Sequence, residues 1–421
     1  LANAITLAGN ATLDVATGDV RQSGAIGESG GSQPLTKTGA GTLELTGANT
    51  YSGGTAIQAG VLDMNGASAL GTGAVQVASG ASLQMSNAAT LGTQAVTNQG
   101  SVDVSNVTSA TAIGSLNGNG DVLLGARTLT VGGLNANDTI GGVIQDGGVA
   151  GGTGGSLVKT GTGTLTLTGS NSYTGSTTVA SGTLLAGATN TLSAASAHSV
   201  ASGATLDLAG ASQTVASLTN SGTVSLVGTT PGTRLTVNGA YVGNGGTLRL
   251  GTALGDSNSA TDRLVLNGAG ASASGSTTVQ VTNLGGLGAQ TTGSGIEVVS
   301  ALNGATTTAQ TTKSAFTLAG GHVDAGAFEY TLHAADASGA GENWYLRSET
   351  TVPATTPVVV TPGTPAGAAT PATPATVPTY RAEVPLFSAL PQQVRQADWA
   401  MLGNLHQRMG DEPVAGAAST G

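Results

Sequence analysis

The tripeptide Gly255-Asp256-Ser257 opens a motif of serine esterases and is the clearest place in this sequence for a nucleophile. A serine nucleophile needs a histidine as general base, and in these esterases that histidine stands in a downstream Asp-x-x-His. The four histidines are His198, His322, His333 and His406, and none stands in such a sequence. We therefore interpret residues 255–257 as a structural turn.

His322 and Asp324 stand two residues apart, as two metal ligands on one strand would. A metal site needs three or four protein ligands, and the sequence groups no third ligand with this pair. Residues 117–121, NGNGD, are similar to calcium-binding β-roll repeats. Those repeats need Gly-x-Gly-x-Asp in tandem nonapeptides, whereas Asp121 comes one residue early and nothing repeats. We predict no metal-binding residue in either place.

Two further motifs are compatible with ligand binding, but we interpret both as structural. Residues 151–155, GGTGG, lack the following helix or the Gly-Lys-Ser/Thr of a phosphate-binding loop, so we interpret them as a flexible excursion. Tyr51 and Tyr173 are either platforms for stacking sugars or seals of equivalent turns, and we favour the seals. The sequence thus predicts no catalytic, cofactor-binding or metal-binding residue and no cofactor.

Composition excludes several classes of protein. Charged residues are 8% of the chain, which makes the charged groove of a polysaccharide lyase hard to assemble, and the net charge of −10 argues against nucleic acid. Cysteine is absent, so disulfides and thiolate metal sites are excluded. No leader and no run of 18 apolar residues is found, and we expect the chain to be a piece of a longer precursor.

A three-residue motif recurs about every 20 residues between positions 43 and 226. In this motif, which we call the phrase, two apolar residues flank a third residue. The period indicates a solenoid, and the alternation indicates a strand with one face inward. The fold class that we predict is all-β, a right-handed parallel β-helix of about 17 turns. We place second-face strands at residues 56–57, 75–77 and 178–179. The phrase occurs at residues 43–45, 62–64, 83–85, 102–104, 122–124, 165–167, 184–186, 206–208 and 224–226.

Two stretches match closely at an offset of 122 residues. Residues 35–60 read LTKTGAGTLELTGANTYSGGTAIQAG, and residues 157–182 read LVKTGTGTLTLTGSNSYTGSTTVASG. This motif resembles the autotransporter-associated β-strand repeat of autotransporter passenger domains. Residues 235–349 resemble the C-terminal part of the pertactin-like passenger, which in that family is an autochaperone cap. The end of a solenoid exposes an unpaired strand ladder and needs a cap in any case.

The C-terminal sixth of the chain changes character twice. Residues 350–378 hold seven of the twelve prolines and predict an extended linker. Beyond them we predict a helix from about Pro391, with Ala397, Met401, Leu405 and Met409 on one face and no fixed dock on the rod. This segment resembles the start of the autotransporter translocator. We divide the chain into rungs at 1–230, the cap at 231–349, the linker at 350–379 and the translocator start at 380–421, with no barrel following.

The resemblance implies a non-enzymatic passenger presented at the surface of a Gram-negative bacterium, as an adhesin or virulence protein, whose cap promotes folding during secretion. The implied partners are an outer-membrane translocator barrel and host-cell or matrix ligands, with no nucleic acid, and we expect a monomer. The alternative is a structural stalk for an N-terminal enzymatic domain, such as an esterase, a protease or a polysaccharide lyase.

Overall fold

The computed structural model describes residues 1–67, 69–352 and 375–409, and these residues are nearly all in strands and turns. The strands of the first part are β1 Ile5–Leu7, β2 Ala11–Asp14, β3 Asp19–Gln22, β4 Ile26–Glu28, β5 Leu35–Thr38, β6 Thr42–Leu45, β7 Thr55–Ile57, β8 Val61–Asn65, β9 Val75–Val77, β10 Ser82–Asn87, β11 Leu91–Asn98, β12 Ser101–Val107, β13 Thr111–Asn117, β14 Asp121–Leu123, β15 Thr128–Val131, β16 Asp138–Ile140 and β17 Ile144–Gln145.

The later strands are shorter in the middle of the chain and longest in the last third. They are β18 Ser156–Lys159, β19 Thr164–Leu167, β20 Ser176–Val179, β21 Thr183–Ala186, β22 Ala197–Val200, β23 Thr205–Asp207, β24 Gln213–Val215, β25 Ser217–Asn220, β26 Thr223–Ser225, β27 Arg234–Val237, β28 Ala240–Thr252, β29 Arg263–Asn267, β30 Ser272–Asn283, β31 Ile296–Leu302, β32 Phe316–Leu318, β33 Val323–Ala325, β34 Phe328–Ala334, β35 Trp344–Arg347, β36 Glu349–Val352 and β37 Ala375–Pro378, followed by helix α1 Val384–Met409.

The strands of successive turns stack in parallel ladders along a solenoid. One ladder runs β2-β5-β7-β9-β11-β13-β15-β18-β20-β22-β25-β28-β30-β32. A second runs β3-β6-β8-β10-β12-β14-β17, and a third continues from β16 through β19, β21, β23 and β26 to β28. The predicted all-β parallel β-helix is confirmed, and so are the second-face strands, which are β7, β9 and β20.

The repeating phrase supplies the interior of this solenoid. Leu62, Leu83 and Val102 are paired neighbours in the second ladder and are completely buried. Alternate residues of a strand project to the same side, so each phrase sends two side chains inward and one outward. Burying apolar surface is worth about 25 cal/mol per Å², and each turn supplies its share of that burial to the next.

The expectation of about 17 turns was too high. The solenoid has about 12 turns, because the turns lengthen towards its C-terminal end. Twenty residues separate the paired residues Lys37 and Ile57. In the last turns 32 residues separate Gly243 from Gly275, and 39 separate Thr278 from Thr317.

The last third of the chain ends the parallel stacking. Strands β24, β27, β29 and β31 pair in parallel, but β31 then pairs antiparallel with β35, which pairs antiparallel with β34. Strand β33 completes an antiparallel hairpin with β34. We call residues 213–348 the cap region. An antiparallel hairpin laid over the last parallel strand leaves no further parallel edge to extend.

The end of the predicted linker and the residues after it return to the cap region, an attachment that the sequence did not predict. We call residues 375–383 the strap. Its first strand, β37, pairs antiparallel with β36. The backbone of Thr379 then accepts a bond from Glu329 N–H at 3.1 Å, and Arg381 N–H donates to Ala327 at 3.1 Å. Strand β35 pairs only with residues 331–334 of β34, so the backbone of residues 327–329 is open to the strap.

Helix α1 begins seven residues earlier than predicted. It starts at Val384, and Pro391 lies inside it rather than at its first turn. Pro385 lies in the first turn instead, where a helix needs no N–H donor. Of the predicted face, Ala397 and Met401 are exposed, and the side chains of Leu405 and Met409 lie outside the described part, as do residues 353–374 and 410–421. Within the described ranges no helix has the length and apolarity to cross a bilayer.

Candidate functional site

The C-terminal end of the solenoid is sealed by three aromatic side chains. Phe316 lies between Tyr241 and Trp344, with ring centroids 5.8 Å and 5.3 Å away, the first pair stacked and the second edge-on. All three side chains are buried, and Trp344 Nε1–H donates to Thr307 Oγ1 at 3.0 Å. Such pairs add about 0.5–1.5 kcal/mol to their area burial. Strands β28, β32 and β35 contribute one ring each, so the cluster joins the last turns to the antiparallel hairpin.

A second set of contacts ties the loops of the cap region to the hairpin. The hydroxyl of Tyr330 on β34 accepts from Ala289 N–H at 2.8 Å and lies 2.8 Å from the Gly255 carbonyl oxygen. Burial raises the pKa of Tyr330, which keeps the hydroxyl neutral. Asp262 accepts bonds from the backbone N–H groups of Thr233 and Gly251, at 2.8 Å and 2.7 Å. These contacts span 11 to 75 residues, so the cap region is closed by long-range pairing.

Ser257 has a structural part in this region. Its Oγ donates to the Thr292 carbonyl oxygen at 2.6 Å and accepts from Thr292 N–H at 2.8 Å. Asp256 accepts from Asn258 N–H at 2.9 Å. A hydroxyl hydrogen committed to a carbonyl is not poised for transfer to a base. The structure therefore places residues 255–257 in a turn that links two loops of the cap region.

His322 and Asp324, for which the sequence grouped no third ligand, do have a third candidate ligand beside them in the structure. Asp324 on β33 lies opposite Glu329 on β34, and one ligand atom from each of His322, Asp324 and Glu329 lies within 4.8 Å of the others. Sequence reasoning missed Glu329, although Gly326-Ala327 between two alternating runs is a signal for a two-residue hairpin loop. That loop register would have placed Glu329 opposite Asp324.

The two other loop motifs are held by bonds inside the chain. Asp121 Oδ1 accepts from Val143 N–H at 2.9 Å, within the solenoid wall. In the glycine run, the backbone N–H groups of Gly154 and Gly155 donate to the carboxylate of Asp146 at 3.2 Å and 2.9 Å. Donors already bound to a carboxylate do not form a free phosphate cradle. The run is an ordered loop of a 28-residue turn between Val131 and Lys159.

The two matching stretches form equivalent turns with equivalent buried tyrosines. Tyr51 and Tyr173 are fully buried, and their hydroxyls pair with Thr55 and Thr177 at 2.7 Å and 2.6 Å. Burial raises the pKa of Tyr173 to about 12. These rings are inside the solenoid, so the sugar-stacking interpretation is wrong and the sealing role stands.

Each matching stretch also buries a lysine. The ammonium group of Lys37 donates to the carbonyl oxygens of Thr38, Gly39 and Ala59, and that of Lys159 donates to Thr160, Gly161 and Ser181, all at 2.6–3.2 Å. Desolvation lowers the pKa of both lysines. At Gly60 and Gly182, which have positive φ, a Cβ would lie 2.4–2.5 Å from backbone oxygens of the previous turn. Lysine and glycine together close one corner of the solenoid.

Comparison with known families agrees with this architecture. The family described as Autochaperone Domain Type 1 matches residues 212–332, which begin next to β24, the first strand of the sheet that ends in the antiparallel hairpin. The Passenger-associated-transport-repeat matches residues 35–64 and 157–186. These residues are thus similar to an autochaperone domain and to passenger transport repeats. The resemblance to autotransporter passengers is confirmed.

Individual relatives point the same way. The chain is 44% identical over 146 residues to the uncharacterized protein YuaQ of Escherichia coli K12 and 42% identical over 142 residues to the probable autotransporter YfaL of the same strain. It is 37% identical over 201 residues to the adhesin BmaC autotransporter of Brucella suis. These matches cover 35%, 33% and 46% of the chain, but only 10%, 10% and 5% of the relatives.

Proposed function

We propose that this chain is a non-enzymatic segment of an adhesin-type passenger, displayed on the surface of a Gram-negative bacterium, whose cap region promotes folding during secretion. The observation that supports the proposal best is the coincidence of the autochaperone match with the aromatic and antiparallel end of the solenoid. A parallel ladder without such an end exposes unpaired strand edges. The cap region supplies the first fixed edge on which the neighbouring turn can pair.

Deletion of residues 235–349 tests the folding role. We expect the upstream turns to become protease-sensitive, because their last ladder strands lose their partners and their interior is opened to water. Limited proteolysis of the deletion variant, compared with the intact chain, measures this. Truncation after residue 383 is the control, since it removes helix α1 and keeps the cap region. Resistance equal to that of the intact chain would show that the cap region is unnecessary.

A structural stalk is the second candidate, because the chain spans a tenth or less of these three relatives and another region could carry the binding function. Display of this chain on a bacterial surface separates the two candidates. Binding of the displayed chain to host cells or matrix proteins supports the adhesin. Normal display without binding supports the stalk.

A further inference from the structure

The hairpin of the cap region collects three groups with metal-binding chemistry on one face. His322 immediately precedes β33, two residues before Asp324, and Asp324 is paired directly with Glu329. Alternate residues of a strand project to one side, and directly opposed residues share a face. His322 Nε2 lies 3.8 Å from Asp324 Oδ2, and all three ligand atoms lie within 4.8 Å of one another.

These distances are close to those of an occupied site. Zinc binds imidazole nitrogen and carboxylate oxygen at about 2.0–2.1 Å, so two tetrahedral ligands lie roughly 3.3 Å apart. The side chains of His322 and Asp324 are 48% and 32% exposed, so both have room to close the remaining gap by rotation.

Asp324 already forms an ion pair with a protein cation, and the geometry of that ion pair is poor. Arg381 of the strap places its Nε 3.5 Å from Asp324 Oδ2. Asp324 Oδ1 and Arg381 Nε are both buried from solvent, and neither has a hydrogen-bond partner. A buried carboxylate oxygen or guanidinium N–H without a partner is costly. An ion that binds this carboxylate directly would remove that cost on the Asp324 side.

We propose that His322, Asp324 and Glu329 form a binding site for a divalent ion of the zinc class, and that Arg381 competes with the ion for Asp324. One imidazole and two carboxylates suit zinc with water in the fourth position. Calcium prefers six to eight oxygen ligands and magnesium an octahedron, which makes this set a poorer match for either ion.

Competition with Arg381 couples the ion to the strap. The strap is held on β34 by the two backbone bonds at Thr379 and Arg381 and by the Phe328–Tyr380 ring contact at 5.4 Å. The ion pair of Arg381 with Asp324 is the charged part of this attachment. Zinc at the site removes that ion pair, so it loosens the junction between the cap region and helix α1 without unfolding the solenoid.

Calorimetric titration of the purified chain with zinc chloride, after treatment with a chelator, tests the site. We expect one zinc ion per chain, and His322→Ala should weaken binding by about tenfold or more, since one of three ligands is lost. His322 is exposed, so this variant should fold normally. Glu329→Gln should weaken binding similarly. His333→Gln is the matched control, because His333 lies on the same hairpin but pairs with Thr331.

Arg381→Gln separates this site from casual binding to an exposed histidine. Removal of the competing guanidinium should tighten zinc binding several-fold, and hydrogen exchange at residues 379–381 should rise when zinc is added to the unsubstituted chain. The proposal fails if the chain takes up no zinc, if His322→Ala and Glu329→Gln leave the affinity unchanged, or if Arg381→Gln does not strengthen it.

Discussion

We call the turns before residue 213 the shaft. The shaft and the cap region bury their side chains in similar ladders, but the residues that contact each other are separated by different lengths of chain in the two regions. In the shaft each strand meets partners about one turn away, as Lys37 meets Ile57 twenty residues later. In the cap region the turns reach 39 residues, and Tyr330 contacts Gly255 across 75 residues. A stack of similar turns carries no internal signal to end. The cap region ends it by antiparallel pairing and by aromatic packing.

Loss of the aromatic seal should produce the largest effect on stability. Trp344→Ala removes the ring that packs edge-on against Phe316 and the bond to Thr307, and we expect a loss of about 3–5 kcal/mol in the free energy of unfolding. Denaturant unfolding followed by circular dichroism measures it. The other tryptophan of the chain, Trp399, is 77% exposed on helix α1, so Trp399→Ala is a matched control with little expected effect. Equal losses in the two variants would contradict a special role for the cap region.

The strands that pair with the two matching stretches differ at one buried position, which should make them differ in acid sensitivity. His198 pairs with Thr177 as Val75 pairs with Thr55, and it is fully buried with no partner for Nε2. Burial lowers the pKa of His198 to about 4, whereas an unfolded histidine has a pKa of 6.5. The unfolded chain therefore binds the proton first. Stability present above pH 6.5 declines as the pH falls towards 4, by about 3 kcal/mol in total.

His198→Val places opposite Thr177 the residue type that lies opposite Thr55, and it tests this difference. The variant should not lose stability through protonation of this residue. As the pH falls from 7 to 4, its free energy of unfolding should therefore decrease less than that of the unsubstituted chain. Above pH 7 the two should run parallel. Parallel curves over the whole range would mean that His198 is not the source of the sensitivity.

The buried lysines should contribute equally in both stretches. Lys37→Met and Lys159→Met each leave three carbonyl oxygens at a solenoid corner without their charged donor, and we expect a loss of about 2 kcal/mol in each case. Thermal unfolding of the two variants measures it, with Lys313→Met, at an exposed position, as control. A large loss in one variant and none in the other would show that the two stretches are not equivalent structures.

Ser257→Ala should have the smallest effect. It removes two hydrogen bonds to Thr292 in a part-exposed loop, so we expect about 1 kcal/mol or less in stability. We also expect no turnover of short-chain esters by the purified chain, because the Ser257 hydroxyl is bound to a carbonyl oxygen. Ester hydrolysis that Ser257→Ala abolishes would overturn the non-enzymatic proposal.

The sequence predicted the shaft well because its signals are local and repeated. Two inward residues in every 20, such as Leu83 and Met85, specify a strand face, and the lysine, tyrosine and glycine of the matching stretches recur at one offset. The same repetition carried the resemblance to autotransporter passengers. The tripeptide at residues 255–257 did not lead to the prediction of an esterase, because the sequence shows no Asp-x-x-His to supply the histidine partner.

Other features needed the tertiary structure because they depend on contacts between distant segments. Glu329 joined His322 and Asp324 only through the register of a hairpin, and Arg381 reached Asp324 from a strap 57 residues further along. The docking of that strap and the true start of helix α1 at Val384 were likewise missed. Periodicity reports which face of a strand is buried, but it carries no information about which separate segments meet. The sequence by itself thus determined a parallel solenoid with an end to be covered, and tertiary pairing decided how that end is closed and which charged groups gather there.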